Sequence, residues 1–332
     1  MSEDRVVSPI ENNSDKNFDL SLRPKSFSEY IGQENIKTNL QITIKAASKR
    51  SEPIDHVLFY GAPGLGKTTL ANVVSNEIGA NLKVTSGPAI ERSGDLATIL
   101  TNLSDGDILF IDEIHRLNKV VEEILYPAME DFALDLIMGK GSGARTLRID
   151  LPRFTIIGAT TKASLLSAPL RDRFGIIHHL DFYEDEHIHQ IIKRSSNILG
   201  VEIDEEASLL IAERARKTPR IANRLLKRVR DFSVVEGNGF IDKDICLKSF
   251  EVLNIDKYGL DHVDRKILNT IIEKFGGGPV GLNTLSAATG EDMATIEDVY
   301  EPYLMQLGFL DRSPRGRVAT DSAFGHLGLK KQ

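Results

Sequence analysis

One octapeptide, GAPGLGKT at residues 61–68, constrains this chain more than any other stretch. It follows VLFY (57–60), an apolar run with the length and residue types of a buried strand, and precedes TLANVVSNEIG, which has helical periodicity. The pattern G-x-x-x-x-G-K-[ST] between a strand and a helix builds a cradle for phosphate. Gly61, Gly64 and Gly66 let the backbone turn its N–H groups inward, and the helix N-terminus adds its partial positive charge. Lys67 is expected to reach the β- and γ-phosphates, and Thr68 to hold Mg²⁺.

Such a loop implies a doubly wound α/β sheet, and the following residues supply its strands. LKVTS (82–86), ILFID (108–112) and FTIIGA (154–159) are short, β-branched or aromatic-rich and largely unalternating, as strands buried on both faces should be. ILFIDEIH ends a strand on Asp112, placed to act through a magnesium coordination shell, with Glu113 beside it placed to polarise an attacking water. FTIIGATT ends on Thr160 and Thr161, whose hydroxyls could sense a γ-phosphate. PLRDRFG then carries Arg171 and Arg173, and TPR carries Arg220. With the usual strand order, an arginine after the sensor strand reaches a neighbour's nucleotide more easily than its own.

Composition sets the outer bounds. A chain of 332 residues can hold two or three domains with real cores. A net charge of −7 excludes a protein that coats DNA over its whole surface, though not a local basic patch. The single cysteine, Cys246, rules out an intrachain disulfide and fits a reducing cytoplasm. No apolar run approaches the roughly 20 residues that span a bilayer, and the N-terminus has no apolar signal core, so no membrane role is expected.

Along the chain, residues 1–20 read as a polar, aperiodic tail and residues 21–182 as the large nucleotide-binding domain. Residues 183–255 carry amphipathic helical patterns and no strand signal. Residues 256–332 read as three helices and a hairpin, a winged helix. In the last, DRSPRGRVATD brings Arg312, Arg315 and Arg317 onto the expected wing with no aromatic to stack on a base, which favours phosphate contacts over base reading. The apolar hairpin at about 133–151 is the odd segment. Leu134, Leu136, Ile137 and Met138 on its first arm are more apolar than one sheet face can bury, which points to a protein partner. His187 and His189 read as solvated residues rather than metal ligands.

The order of these motifs resembles that of the AAA+ ATPases, and the tail of the chain narrows the resemblance to the branch-migration motors that act on Holliday junctions. GAPGLGKTTLA, DEIHRLN, AMEDF, GATTKA, PLRDRFGI, TPRIANRLLKRVRDF and PRGRVAT carry it, and it covers nearly everything after about residue 20. The resemblance implies a helical lid after the large domain and ATP and Mg²⁺ as cofactors. It also implies a homohexameric ring on duplex DNA, with a junction-binding partner docked through Leu136 and Ile137 and a junction-resolving nuclease in the larger assembly. LRPKSFSEYIGQ looks like the family's adenine-side box, so Leu22, Arg23, Tyr30 and Ile31 would line the base pocket. Gly64, Gly66, Lys67, Thr68 and Thr69 would bind phosphate and magnesium, and Glu130, Asp131 and Phe132 would lie beside the nucleotide. Thr161 would sense phosphate, Arg173 would be the trans-acting finger, and Tyr183 and Arg220 would complete the pocket. Arg312 and Arg317 would lead in DNA binding. Lys217 stands where the family favours glycine. A clamp-loader-like ATPase and a nucleotide-gated winged-helix regulator remain as alternatives.

Overall fold

A computed structural model describes Val7, residues 20–138 and residues 145–330. They form two compact units, residues 23–181 and residues 182–330 with the segment 20–22.

The first unit is built on five parallel strands: β1 (Val57–Tyr60), β2 (Leu82–Ser86), β3 (Ile108–Asp112), β6 (Thr155–Thr160) and β7 (Ile176–His179), in the order β2-β3-β6-β1-β7. Burial follows that order. The central strands β1, β3 and β6 are buried almost throughout, whereas edge strand β7 alternates half-buried and exposed residues. Half-exposed IIHH carries too weak an apolar run to announce itself as a strand, and the sequence reading omits it. Helices α1 (Glu34–Arg50), α2 (Lys67–Ile78), α3 (Ser93–Thr101), α4 (Lys119–Glu130) and α5 (Ala168–Arg171) cover the sheet. Leu96, Leu100, Val121 and Leu125 meet Leu109, Ile111 and Ile156 in one core cluster. Each such side chain contributes about 1.5–3 kcal/mol by leaving water.

The hairpin of β4 (Ala133–Met138) and β5 (Arg145–Asp150) is antiparallel, with Leu136 opposite Leu147. Its base is core: Ala133, Leu134 and Leu151 are buried. Further out, Leu147 is exposed, and Arg148 pairs with Asp131 at 3.0 Å and Asp135 at 3.5 Å. The side chains of Leu136 and Ile137, and all of residues 139–144, lie outside the described residues.

In the second unit, α6 (Asp185–Leu199), α7 (Glu205–Arg214), α8 (Pro219–Glu236) and α9 (Lys243–Val252) form the helical part. The winged helix follows: α10 (His262–Asn269), α11 (Leu282–Thr289), α12 (Met293–Thr295) and α13 (Glu301–Gln306). The hairpin of β8 (Leu310–Ser313) and β9 (Gly316–Ala319) and a closing helix α14 (Asp321–Leu327) complete it. Val280 bridges Arg317, so the wing leans on a third extended segment. Gly316 is required there: φ is +137°, and a Cβ would strike Val280 O. Helices α9 and α14 were not anticipated from the sequence. His189 corrects an expectation, being buried with its Nε2 3.2 Å from Glu205 Oε1 rather than solvated. No helix among the described residues is long and apolar enough to cross a membrane.

Candidate functional site

The phosphate loop takes the shape its glycines allow. Gly61, Gly64 and Gly66 have φ of +147°, +84° and +97°, and Gly66 leads directly into α2. Gly61 is also a packing requirement, since a Cβ there would meet Leu180 O at 2.5 Å. Lys67, buried at the first turn of α2, donates from Nζ to Gly61 O at 2.8 Å and Ala62 O at 2.9 Å. Thr68 and Thr69 follow in the same turn, half-buried. Backbone donors, a helix N-terminus and an ammonium thus converge on one concavity, an arrangement suited to polyphosphate.

Because β6 lies between β1 and β3, Asp112 ends two strands away from the loop strand, on the same edge of the sheet. Glu113 breaks out of the strand in a left-handed conformation, φ +47°, with its backbone N–H on Asp112 Oδ1 at 2.9 Å. Its carboxylate pairs with Arg116 at 3.0 Å, and its carbonyl accepts from Arg116 N at 2.8 Å. Gly87 presses on that carbonyl so closely that any Cβ there would come within 3.0 Å of it. Thr68 and Asp112 offer hydroxyl and carboxylate oxygens, which suit a small hard cation that keeps most of its ligands from water and phosphate. Among the described residues no group of three or more His, Cys, Asp or Glu could hold a metal ion.

The two threonines expected to sense phosphate separate. Thr160 is buried, its Oγ1 2.8 Å from His115 Nδ1 and accepting from Lys162 N at 2.9 Å, while Thr161 is exposed just beyond β6. The sequence reading gave His115 no part, although its place in DEIH beside two acids was a usable signal. Of the residues expected to line a base pocket, Tyr30 is buried, and Arg23 and Ile31 are half-buried. Their segment is tied down by Glu77 accepting from Phe27 N at 2.8 Å and by the Gln33 amide donating to Asp181 O at 2.7 Å. In the second unit, Leu22 is buried with its carbonyl accepting from Arg194 at 2.7 Å. Tyr183 is buried and its N–H donates to Lys217 O at 3.0 Å, and Arg220 stands in the first turn of α8.

Glu130, Asp131 and Phe132, expected beside a nucleotide, do not lie beside the chain's own phosphate loop. Helix α4 runs from the loop edge of the sheet back to the opposite edge. There Met129 O is 3.0 Å from the ring of His56, which precedes β1, and Phe132 meets Phe154, which precedes β6, edge-to-face at 5.7 Å. The four residues of β1 put about 13 Å between that edge and the loop. Arg173 lies on the same far edge. Its Nη2 pairs with Glu130 Oε1 at 3.1 Å, its Nη1 donates to Pro169 O at 2.6 Å, and the guanidinium sits 4.3 Å above the ring of Tyr126. The cradle and the arginine therefore occupy opposite edges of one sheet.

The wing arginines differ in what already holds them. Arg312 and Arg317 are opposite each other on β8 and β9 and are already engaged. Arg312 donates to Glu301 at 2.9 Å and Glu297 at 2.6 Å, and Arg317 donates to Glu301 at 2.6 Å and 3.2 Å. Glu301 is 1% exposed, so two guanidiniums neutralise one buried carboxylate. Arg315, at the hairpin turn, is exposed and forms no hydrogen bond or ion pair among the described residues.

Comparison with known proteins identifies the arrangement. Three family models match in succession: the "Holliday junction DNA helicase RuvB P-loop domain" over residues 22–180, the "RuvB AAA lid domain" over 183–256 and the "RuvB C-terminal winged helix domain" over 257–328. The Holliday junction branch migration complex subunit RuvB of Clostridium kluyveri is 61% identical over 324 residues, 98% of this chain and 93% of that protein. Its counterpart from Dehalococcoides mccartyi is 60% identical over 329 residues, 99% of this chain and 94% of that one. Among solved structures, the Thermotoga maritima RuvB Holliday junction branch migration motor is 54% identical. It superposes with a TM-score of 0.85 and covers 93% of this chain and 99% of that one.

Proposed function

The chain belongs to the RuvB family of AAA+ ATPases, and from that membership we propose how its own residues drive the branch migration of Holliday junctions. One observation carries the reading: the phosphate cradle and Arg173 lie on opposite edges of the sheet, so one chain holds two halves of different sites. A ring of about six copies joins each cradle to the next chain's arginine.

In that site the loop N–H groups and Lys67 grip the phosphates of ATP, and Thr68 and Asp112 would hold Mg²⁺, which when bound would supply positive charge to the phosphate oxygens. Glu113 orients the attacking water and accepts its proton, which requires its pair with Arg116 to open. Arg173, released from Glu130 and Tyr126, neutralises the γ-phosphate of the neighbour, and Glu130, Asp131 and Phe132 approach that nucleotide from the same edge. Thr161 and Arg220 read whether the γ-phosphate is present. Leu22, Arg23, Tyr30, Ile31 and Tyr183 take the base and ribose. Arg315 meets the DNA backbone first, with Arg312 and Arg317 sharing the load as Glu301 allows. The hairpin docks the junction-binding protein RuvA through Leu136 and Ile137, and the nuclease RuvC joins for resolution, all in the cytoplasm on nucleoid DNA.

The test mixes two inactive chains, Arg173→Ala and Lys67→Ala, on junction DNA. Where an intact Lys67 faces an intact Arg173 across a subunit boundary, hydrolysis returns, reaching about a quarter of wild-type turnover in an equal random mixture if each interface acts alone. If no ratio regains turnover, the trans assignment is wrong.

A further inference from the structure

Arg216 is among the most enclosed charged side chains in the second unit, at 2% exposure, and no step above uses it. It lies between α7 and α8, four residues ahead of Arg220. Its guanidinium leaves the helical part altogether and enters the winged helix. Nε donates to Gly259 O at 2.8 Å, Nη2 pairs with Asp264, and the group lies 5.4 Å from the ring centre of Tyr303. The acceptor is a built receptacle. Asp261 and Asp264 form the capping box of α10: Asp261 Oδ1 accepts from Val263 N at 2.8 Å and Asp264 N at 3.1 Å, and Asp264 Oδ2 accepts from Asp261 N at 2.9 Å. The backbones meet there too, since Gly259, φ +72°, has no room for a Cβ against Arg214 O.

Two further facts separate this contact from ordinary packing. Arg216 and Lys217 are consecutive left-handed residues, φ +50° and +54°, a conformation that side chains resist and that persists only where surroundings over-determine it. The carboxylate that Arg216 meets is fully buried, and a buried ion pair is a poor source of net stability but a strict selector of one arrangement.

We propose that Arg216 is a positioning residue that bolts the helix bearing Arg220 to the winged helix, making the two one rigid arm. Resting on the reading of Arg220 as the γ-phosphate sensor, the bolt carries a displacement begun at the nucleotide to the wing without loss at the linker. A loosened bolt leaves ATP binding and hydrolysis in place and uncouples them from DNA movement.

The experiment uses the full chain with Cys246→Ser and spin labels on Val235→Cys in α8 and Asp311→Cys in β8, both exposed positions. The wild-type arm gives one narrow distance distribution, unchanged between ADP and a non-hydrolysable ATP analogue. A broad distribution, or one that shifts with nucleotide, overturns the proposal without any variant. The second arm is Arg216→Met combined with Asp264→Asn, which removes both charges together and keeps a side-chain oxygen for Asp261 N. It broadens the distribution, keeps junction-free ATP hydrolysis within about twofold of wild type and lowers base pairs moved per ATP by about tenfold. A narrow distribution with unchanged coupling in that variant overturns the proposal, and if the variant does not melt cooperatively the wild-type distances decide alone. Loss of all branch migration in the wild type would instead strike the functional reading, leaving the distances to judge the bolt.

Discussion

Replacing Gly87 with alanine is a sharp test of how hydrolysis is set up, because it alters Glu113 without touching it. The new Cβ would fall about 1 Å inside the 3.4 Å at which ordinary contact with Glu113 O begins, so that carbonyl must withdraw by about that much. Neither side yields easily. Glu113 O already accepts from Arg116 N at 2.8 Å, and Asp112, one residue back, is in register with Ser86, which precedes Gly87. A misplacement of about 1 Å at a reacting group costs about a hundredfold in rate, or about 2.7 kcal/mol. Overpacking itself costs about 1–3 kcal/mol of stability. The phosphate loop belongs to β1 and α2, so binding of a fluorescent ATP analogue stays within about twofold while DNA-stimulated kcat falls about a hundredfold. The control is a cycle with Glu113→Gln, in which the double variant is no slower than Glu113→Gln alone, since both act through one group. A Gly87→Ala chain with normal kcat, or double-variant losses that simply add, would refute the claim that Gly87 works through Glu113.

Three further outcomes follow from the geometry. Burial pushes the Cys246 thiol up to about 12, so alkylation of the native chain at pH 8 runs slowly and gains about tenfold per pH unit to pH 10, whereas the unfolded chain levels off above about pH 9; fast native labelling at pH 8 would contradict the burial. Arg315→Ala weakens duplex binding and lowers the salt slope by about one, measured by titration at several salt concentrations, with no change in melting temperature; Arg312→Ala or Arg317→Ala also destabilises the winged helix by exposing Glu301 to an unbalanced burial, and an unaltered melt would contradict this. Lys217→Gly relieves a left-handed side chain and raises the melting point by an amount worth about 1 kcal/mol, and a drop in calorimetric melting temperature would show that Lys217 makes a compensating contact.

What sequence conveyed and what it withheld divide along a physical line. The strands VLFY, ILFID and TIIGAT are central and parallel, buried on both faces, and that burial is written as unbroken apolar runs. IIHH at 176–179 forms one edge of the sheet, half of it faces outward, and nothing in its pattern separates it from a loop, whereas LKVTS at the other edge, no more than half-buried, was legible from its β-branched residues. The phosphate loop was legible because its glycines, lysine and threonine act within eight residues. Glu130 to Phe132 were legible as a motif, but the edge of the sheet they stand on was not, because an edge depends on how far α4 travels. Arg312 and Arg317 read as phosphate contacts with no sign of an internal partner, because their carboxylate, Glu301, approaches from α13, and only tertiary structure brings it there. Arg216 gave no signal, since a buried arginine and a surface arginine are the same letter.

The separation of cradle from arginine has an arithmetic side. If Arg173 serves a neighbour's nucleotide as proposed, a chain standing alone would burn no fuel at full speed, and in an open arc the subunit at one end would lack a donor. An arc of n copies would then run n − 1 engines, and only closure around the duplex would light the last. The final joint counts for more than the others, because it turns a row of machines into a cycle with no idle member and ties full output to having encircled something.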